Sequence, residues 1–222
     1  MAPILFVTYL SSIFDEVERA VLNVQGLSFA DNIGWWVKAE NEEEVAEKLA
    51  EAAAMSLDWA KDNGVAFDQG KTEGVLFQKK KGAPTATICV GTSDIPFNSE
   101  ATHWLGIWLD SQLTLKEHHA IRLKEGKKAM GWLCRLTGQM GLLPANCHKV
   151  ITACIQSVAM FRSELWWKGY RVDSTIGRAK ELQKEVNKQA RVVTGCFQTT
   201  NYKALVMESG LRPATAQVEN RQ

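Results

Sequence analysis

The chain has 222 residues, 45% hydrophobic and 23% charged, with 16 Gly and 5 Pro. That length allows one domain or two small ones with a core that needs no staple, and the composition excludes collagen-like, low-complexity and wholly disordered chains. The net charge of +1 hides an asymmetry, since residues 1–111 hold 8 Lys/Arg against 17 Asp/Glu and residues 112–222 hold 18 against 8.

A basic half suits a polyanionic partner, because clustered cations neutralise phosphates. Attraction between the halves, or plain solvation of basic helix faces, fits the count equally well. Cys89, Cys134, Cys147, Cys154 and Cys196 form no CxxC pair, the pattern of reduced thiols in an intracellular, non-secreted protein. Residues Met1–Phe14 carry no charge, yet they lack a basic n-region and a small-residue cleavage site. They are also too short to span a bilayer, so no membrane partner is expected.

In chain order, Leu10, Ile13, Phe14, Val17 and Val21 recur at helical spacing and predict a helix over 10–23. Leu27 to Val37 alternates around Asp31-Asn32, a β-hairpin signature with turn formers at its tip. Asn41 caps the next helix, with Glu42, Glu43 and Glu44 at its positive end and Val45, Leu49, Ala52, Ala53 and Leu57 as its buried stripe. Asn63-Gly64 ends it. Short strands are predicted at 65–67, 73–77 and 86–91, with turns at Gln69-Gly70 and Lys81-Gly82-Ala83-Pro84. A single strand from Trp104 to Leu109 closes an α+β half. Beyond it the texture is helical, with helices predicted at 115–136, 146–165 and 176–195 and a domain boundary near Ser111-Gln112.

Gly70-Lys71-Thr72 ends like a phosphate-binding loop, but position 65 is Val and the context is turn-then-strand. His118-His119 point about 100° apart on a helix, and Cys147, His148 and Cys154 lack zinc-module spacing. No GxSxG elbow is present. Trp104 and Trp108 are most simply core residues, although indole rings also stack on bases. Taken alone, Asp31-Asn32 is ordinary turn chemistry.

Several blocks nevertheless fall in a familiar order: Pro3-Ile4-Leu5-Phe6, Gly26 to Asn32, Lys71-Thr72-Glu73, Trp104 to Asp110, Leu136 to Leu142 and Met207 to Ala214. Together they resemble the later palm and the thumb of reverse transcriptases, the RNA-directed DNA polymerases of LINE-type (non-LTR) retrotransposons. The resemblance covers essentially the whole chain. It implies an α+β fold: a partial polymerase palm over 1–111, then an all-α, thumb-like bundle over 112–222.

In that family two Mg²⁺ ions, held by converging carboxylates, polarise the phosphate and stabilise the attacking and leaving oxygens. By resemblance Asp31 is the metal-binding aspartate of the hairpin tip. Asn32 stands where the family has a second aspartate, and the upstream palm strand with a further aspartate has no counterpart here. The match begins at the tail of the template- and nucleotide-positioning loop, Pro3 to Phe6. The resemblance therefore implies a fragment that is inactive alone and binds no Mg²⁺ productively.

Lys71 resembles the lysine that protonates the departing pyrophosphate, and Trp104-Leu105-Gly106 resembles the primer grip. Lys124, Lys127, Lys128, Arg135 and Lys149 are the implied phosphate contacts, with RNA template or RNA–DNA hybrid as partner. The alternatives are a non-catalytic nucleic-acid-binding module or a decayed mobile-element remnant. An open hairpin edge with Ile33 and Trp35 predicts poor solubility of the first half. The end at Asn220-Arg221-Gln222, without a helix stop, points to truncation there.

Overall fold

The computed structural model describes residues 2–78, 82, 84–98, 100–169 and 172–221. The turn expected at Lys81-Gly82-Ala83-Pro84 lies partly outside them, as do the side chains of 136–140 in one block of the resemblance. Helices and small antiparallel hairpins mix along the chain, an α+β composition. The chain divides into two compact units, Met1–Thr102 and His103–Gln222. The division precedes the boundary expected near Ser111-Gln112, because the strand at Ile107–Leu109 packs on the first helix of the second unit.

The first unit opens with α1 (Ala2–Ala20). This helix begins well before residue 10. Ile4 and Leu5, 71% and 67% exposed, add no amphipathic signal there, and Pro3 is tolerated in a first turn whose N–H groups lack partners anyway. Leu10, Ile13, Val17 and Val21 form a core with Val24, Ala52, Trp59 and Ala60. Left-handed Asn23 (φ 65°) ends the run and turns the chain into β1 (Val24–Phe29).

β1 pairs antiparallel with β2 (Asn32–Val37), and Phe29 faces Asn32 across the ladder. The two turn residues are therefore Ala30 and Asp31, with Asn32 already in the strand. Gly26 is required by packing, since a Cβ there would lie 2.2 Å from Phe14 and 2.5 Å from Trp35. Ile33 and Trp35, expected on an open face, are half-buried; Trp35 Nε1 donates to Ser56 Oγ at 2.9 Å. The open face carries Leu27, Phe29 and Trp36, 50%, 62% and 53% exposed. The period of two puts these three together because each pairs or neighbours across the same side of the ladder.

α2 (Glu42–Asp62) starts at Asn41, whose side chain accepts from Glu44 N at 2.9 Å. Glu44 also pairs with Lys48 at 2.6 Å. The strands expected at 65–67 and 73–77 do not form: a 3-10 turn spans Gln69–Lys71, and Gly74 makes one parallel bridge to Phe97. β3 (Thr87–Val90) instead pairs with β4 (Ser93–Pro96) through a turn at left-handed Gly91. Ile88, Val90 and Phe97 pack with Val45 and Ala46 of α2.

β5 (Thr102–Trp104) and β6 (Ile107–Leu109) form a hairpin where one strand was expected. Leu105 (φ 47°) and Gly106 (φ 82°) break the run; two consecutive left-handed residues are the hallmark of a tight two-residue hairpin turn. The second unit continues with α3 (Lys116–Met140) and α4 (Pro144–Val150), the latter running into a π-helical stretch at Ile151–Gln156 and the short α5 (Ser157–Ala159). The helix expected over 146–165 stops there, and left-handed Arg162 leads into a 3-10 turn at Ser163–Leu165. α6 (Asp173–Thr194), α7 (Tyr202–Ser209) and α8 (Ala214–Glu219) complete the bundle.

Its core joins Leu123, Met130 and Leu133 to Ile151, Ile155, Trp166, Trp167, Leu182, Val186 and Leu205. Trp104 and Trp108 are only half-buried. Gly126 lets α3 approach α5, because a Cβ there would sit 2.7 Å from Ala159 Cβ. A buried side-chain pair crosses the bundle, with Gln156 Nε2 donating to Gln189 Oε1 at 3.0 Å. Among the described residues no helix is long and apolar enough to cross a membrane.

Candidate functional site

At the first hairpin tip Asp31 and Asn32 are exposed, and Asn32 Nδ2 lies 3.4 Å from Asp31 Oδ1. Ala30 holds the turn in the left-handed region (φ 54°), at some backbone cost. Lys71 sits in the 3-10 turn after α2 and pairs with Asp68 at 3.1 Å. Its ammonium, by its hydrogen bond, holds the Asp68 carboxyl below its ordinary range. No hydrogen bond or ion pair among the described residues joins Lys71 to Asp31. Nor, among the described residues, does any group of three or more His, Cys, Asp or Glu side chains converge there as a metal site.

The Trp104-Leu105-Gly106 turn is held from below. Arg122 donates to Gly106 O, lies 4.8 Å from the centroid of Phe161, and pairs with Glu125 at 2.9 Å. A Cβ on Gly106 would approach Phe161 to 3.2 Å. Fully buried His118 fixes the next strand, because its Nδ1 accepts from Trp108 N at 3.3 Å. Nε2 must then carry the proton and donates to Phe161 O at 2.9 Å. Burial pushes His118 below its ordinary value, which favours this neutral form. His119 points elsewhere, 3.1 Å from Glu181 and edge-on to Trp166, and burial outweighs Glu181 in lowering its value too. The adjacent histidines thus serve different contacts.

α3 carries most of the implied phosphate contacts. Lys124, Lys127, Lys128 and Arg135 are exposed, as is Lys149 on α4. Lys127 reaches Glu185 at 3.8 Å, and Lys188 of α6 holds the same carboxylate at 3.0 Å. Lys124, Lys128, Arg135 and Lys149 have no ion-pair partner among the described residues. Positions 124, 128 and 135 fall on one helical face, because steps of four and seven return to the same side.

Sequence reasoning missed Trp132 on this surface. It is 61% exposed, with the Arg135 guanidinium 4.8 Å from its ring centroid. The visible signal was an indole four residues after Lys128 and three before Arg135. Arg178 was missed as well; it lines a cavity of 260 Å³ with Lys116, Trp166 and Lys168. Backbone donors beside that cavity are already committed, since Gln112 N, Thr114 N and Leu115 N all donate to Asp110. It therefore offers cations but few oriented N–H groups.

Comparison with known proteins adds no relative: no family model, curated protein or solved structure matches the chain.

Proposed function

We propose that the chain is a palm-and-thumb fragment of a LINE-type reverse transcriptase, inactive as a polymerase alone, that binds RNA or an RNA–DNA hybrid through α3. The single observation that carries the binding is the α3 face, where Lys124, Lys128 and Arg135 are exposed and have no ion-pair partner among the described residues. Unpaired, solvated cations on one face gain by displacing counterions from a phosphate backbone. The exposed Asp31 at a hairpin tip and the tight turn at Leu105-Gly106 are consistent with the ordered motifs of the resemblance. Asn32 supplies no charge for a second metal contact, so Mg²⁺ has one hairpin carboxylate to bind.

Anisotropy titration of a labelled RNA–DNA hybrid across a salt series tests the binding. A log–log slope of about −0.9 per neutralised phosphate on B-form duplex, or about −0.7 on single strands, is the expected form. Substituting Lys124→Glu, Lys128→Glu and Arg135→Glu together should abolish it. Salt-insensitive binding, or binding unchanged by the charge reversal, overturns the reading. Primer extension with Mg²⁺ should yield no product, and robust synthesis lost in Asp31→Asn would refute the inactivity.

A further inference from the structure

Gly131 is an anomaly in the middle of α3. Glycine there weakens a helix relative to alanine. Gly126, five residues earlier, has a packing reason, but a Cβ on Gly131 would meet nothing within 4 Å among the described residues. Gly131 lies between Lys128 and Arg135 on the same exposed face and beside Trp132. Glycine there leaves a bare stretch of helix backbone open to solvent beside cations and an exposed indole, which lets something from outside approach closely.

Acidic competition along the strip is limited. Glu125 is engaged by Arg122, and Glu117 lies back in the first turn of the helix. Trp132 stays 61% exposed even with Arg135 over its ring. An indole projecting from a helix has no access to bases stacked inside a duplex, whereas an unpaired base offers it a flat face.

We infer that this strip takes a single-stranded segment of nucleic acid. Lys124, Lys128 and Arg135 contact its phosphates, one base stacks on Trp132, and the strand crosses α3 at Gly131. The inference rests on the nucleic-acid-binding reading above and narrows it from RNA or hybrid to a single strand.

The test is anisotropy on the full chain with a fluorescein-labelled oligouridylate, an oligothymidylate and a blunt RNA–DNA hybrid of equal length, paired with thermal melts. The single strands should bind more tightly than the hybrid. Trp132→Leu should weaken single-strand binding roughly 5- to 100-fold and leave hybrid binding and Tm nearly unchanged. Gly131→Ala should raise Tm by about 2–4 °C while weakening single-strand binding, since it improves the helix and puts a methyl where the strand would approach the backbone. Lys124→Glu with Lys128→Glu should weaken every probe.

Failure of all probes to bind sinks the parent reading and this one with it. Hybrid binding at least as tight as single-strand binding, sensitive to the lysine reversals but not to Trp132→Leu, leaves the parent reading standing and overturns this one. Gly131→Ala binding like the unaltered chain removes the crossing at Gly131.

Discussion

His118 shows how one buried side chain ties a hairpin to a helical bundle. Its ring spans from Trp108 N to Phe161 O and does so only when neutral. With His119 it is held below the ordinary histidine value of about 6.5 chiefly by burial. As pH falls, the unfolded chain takes up these protons before the folded one does. Stability present above pH about 6.5 is therefore lost progressively below it. The denaturant midpoint of the second unit should drop between neutral and mildly acidic pH, and a flat profile would count against both assignments. Ala30 has a left-handed backbone, a conformation that is unfavourable for alanine. Ala30→Gly should stabilise the first unit by about 0.5–1 kcal/mol in chemical denaturation.

Elements were legible where local chemistry and burial agreed. α2 shows its cap and its acidic first turn in the sequence, and its structure follows both. The first hairpin was visible from alternation, but its register was not: a two-residue loop moves Asn32 out of the turn and into the strand. β4 was hidden because Ser93, Asp94 and Pro96 are poor strand formers, and its pairing comes from the turn at Gly91. α7 and α8 were too short to show a period. At the candidate site the lysines were visible as composition, whereas the exposure of Trp132 and the empty space at Gly131 exist only once the helix is packed. Two glycines on α3 should accordingly answer alanine in opposite ways. Gly126→Ala, forced against Ala159, should cost roughly 1–3 kcal/mol in an equilibrium melt, where Gly131→Ala gains.

At the scale of the molecule, each unit has its own core, and the charge follows the same division. Residues 103–222 hold 18 Lys/Arg against 9 Asp/Glu, whereas residues 1–102 hold 8 against 16. The second unit, with the larger apolar cluster, should unfold cooperatively when expressed alone. In the first unit Leu27, Phe29 and Trp36 leave one hairpin face apolar and open. Sedimentation of the full chain should therefore depend on concentration, and replacing all three by Thr should suppress that dependence. A concentration-independent coefficient for the unaltered chain would show that this face does not drive association.

The buried Gln156–Gln189 bond has a further effect on how the bundle finds its alignment. Aliphatic side chains such as Ile151, Ile155, Leu182 and Val186 belong to the same core, and non-directional contacts of that kind do little to distinguish one alignment from another. A slipped arrangement would bury both amides without partners, at about 1–3 kcal/mol for each orphaned group. The pair thus works as a registration pin: it separates the native alignment from its neighbours more than it deepens the native well.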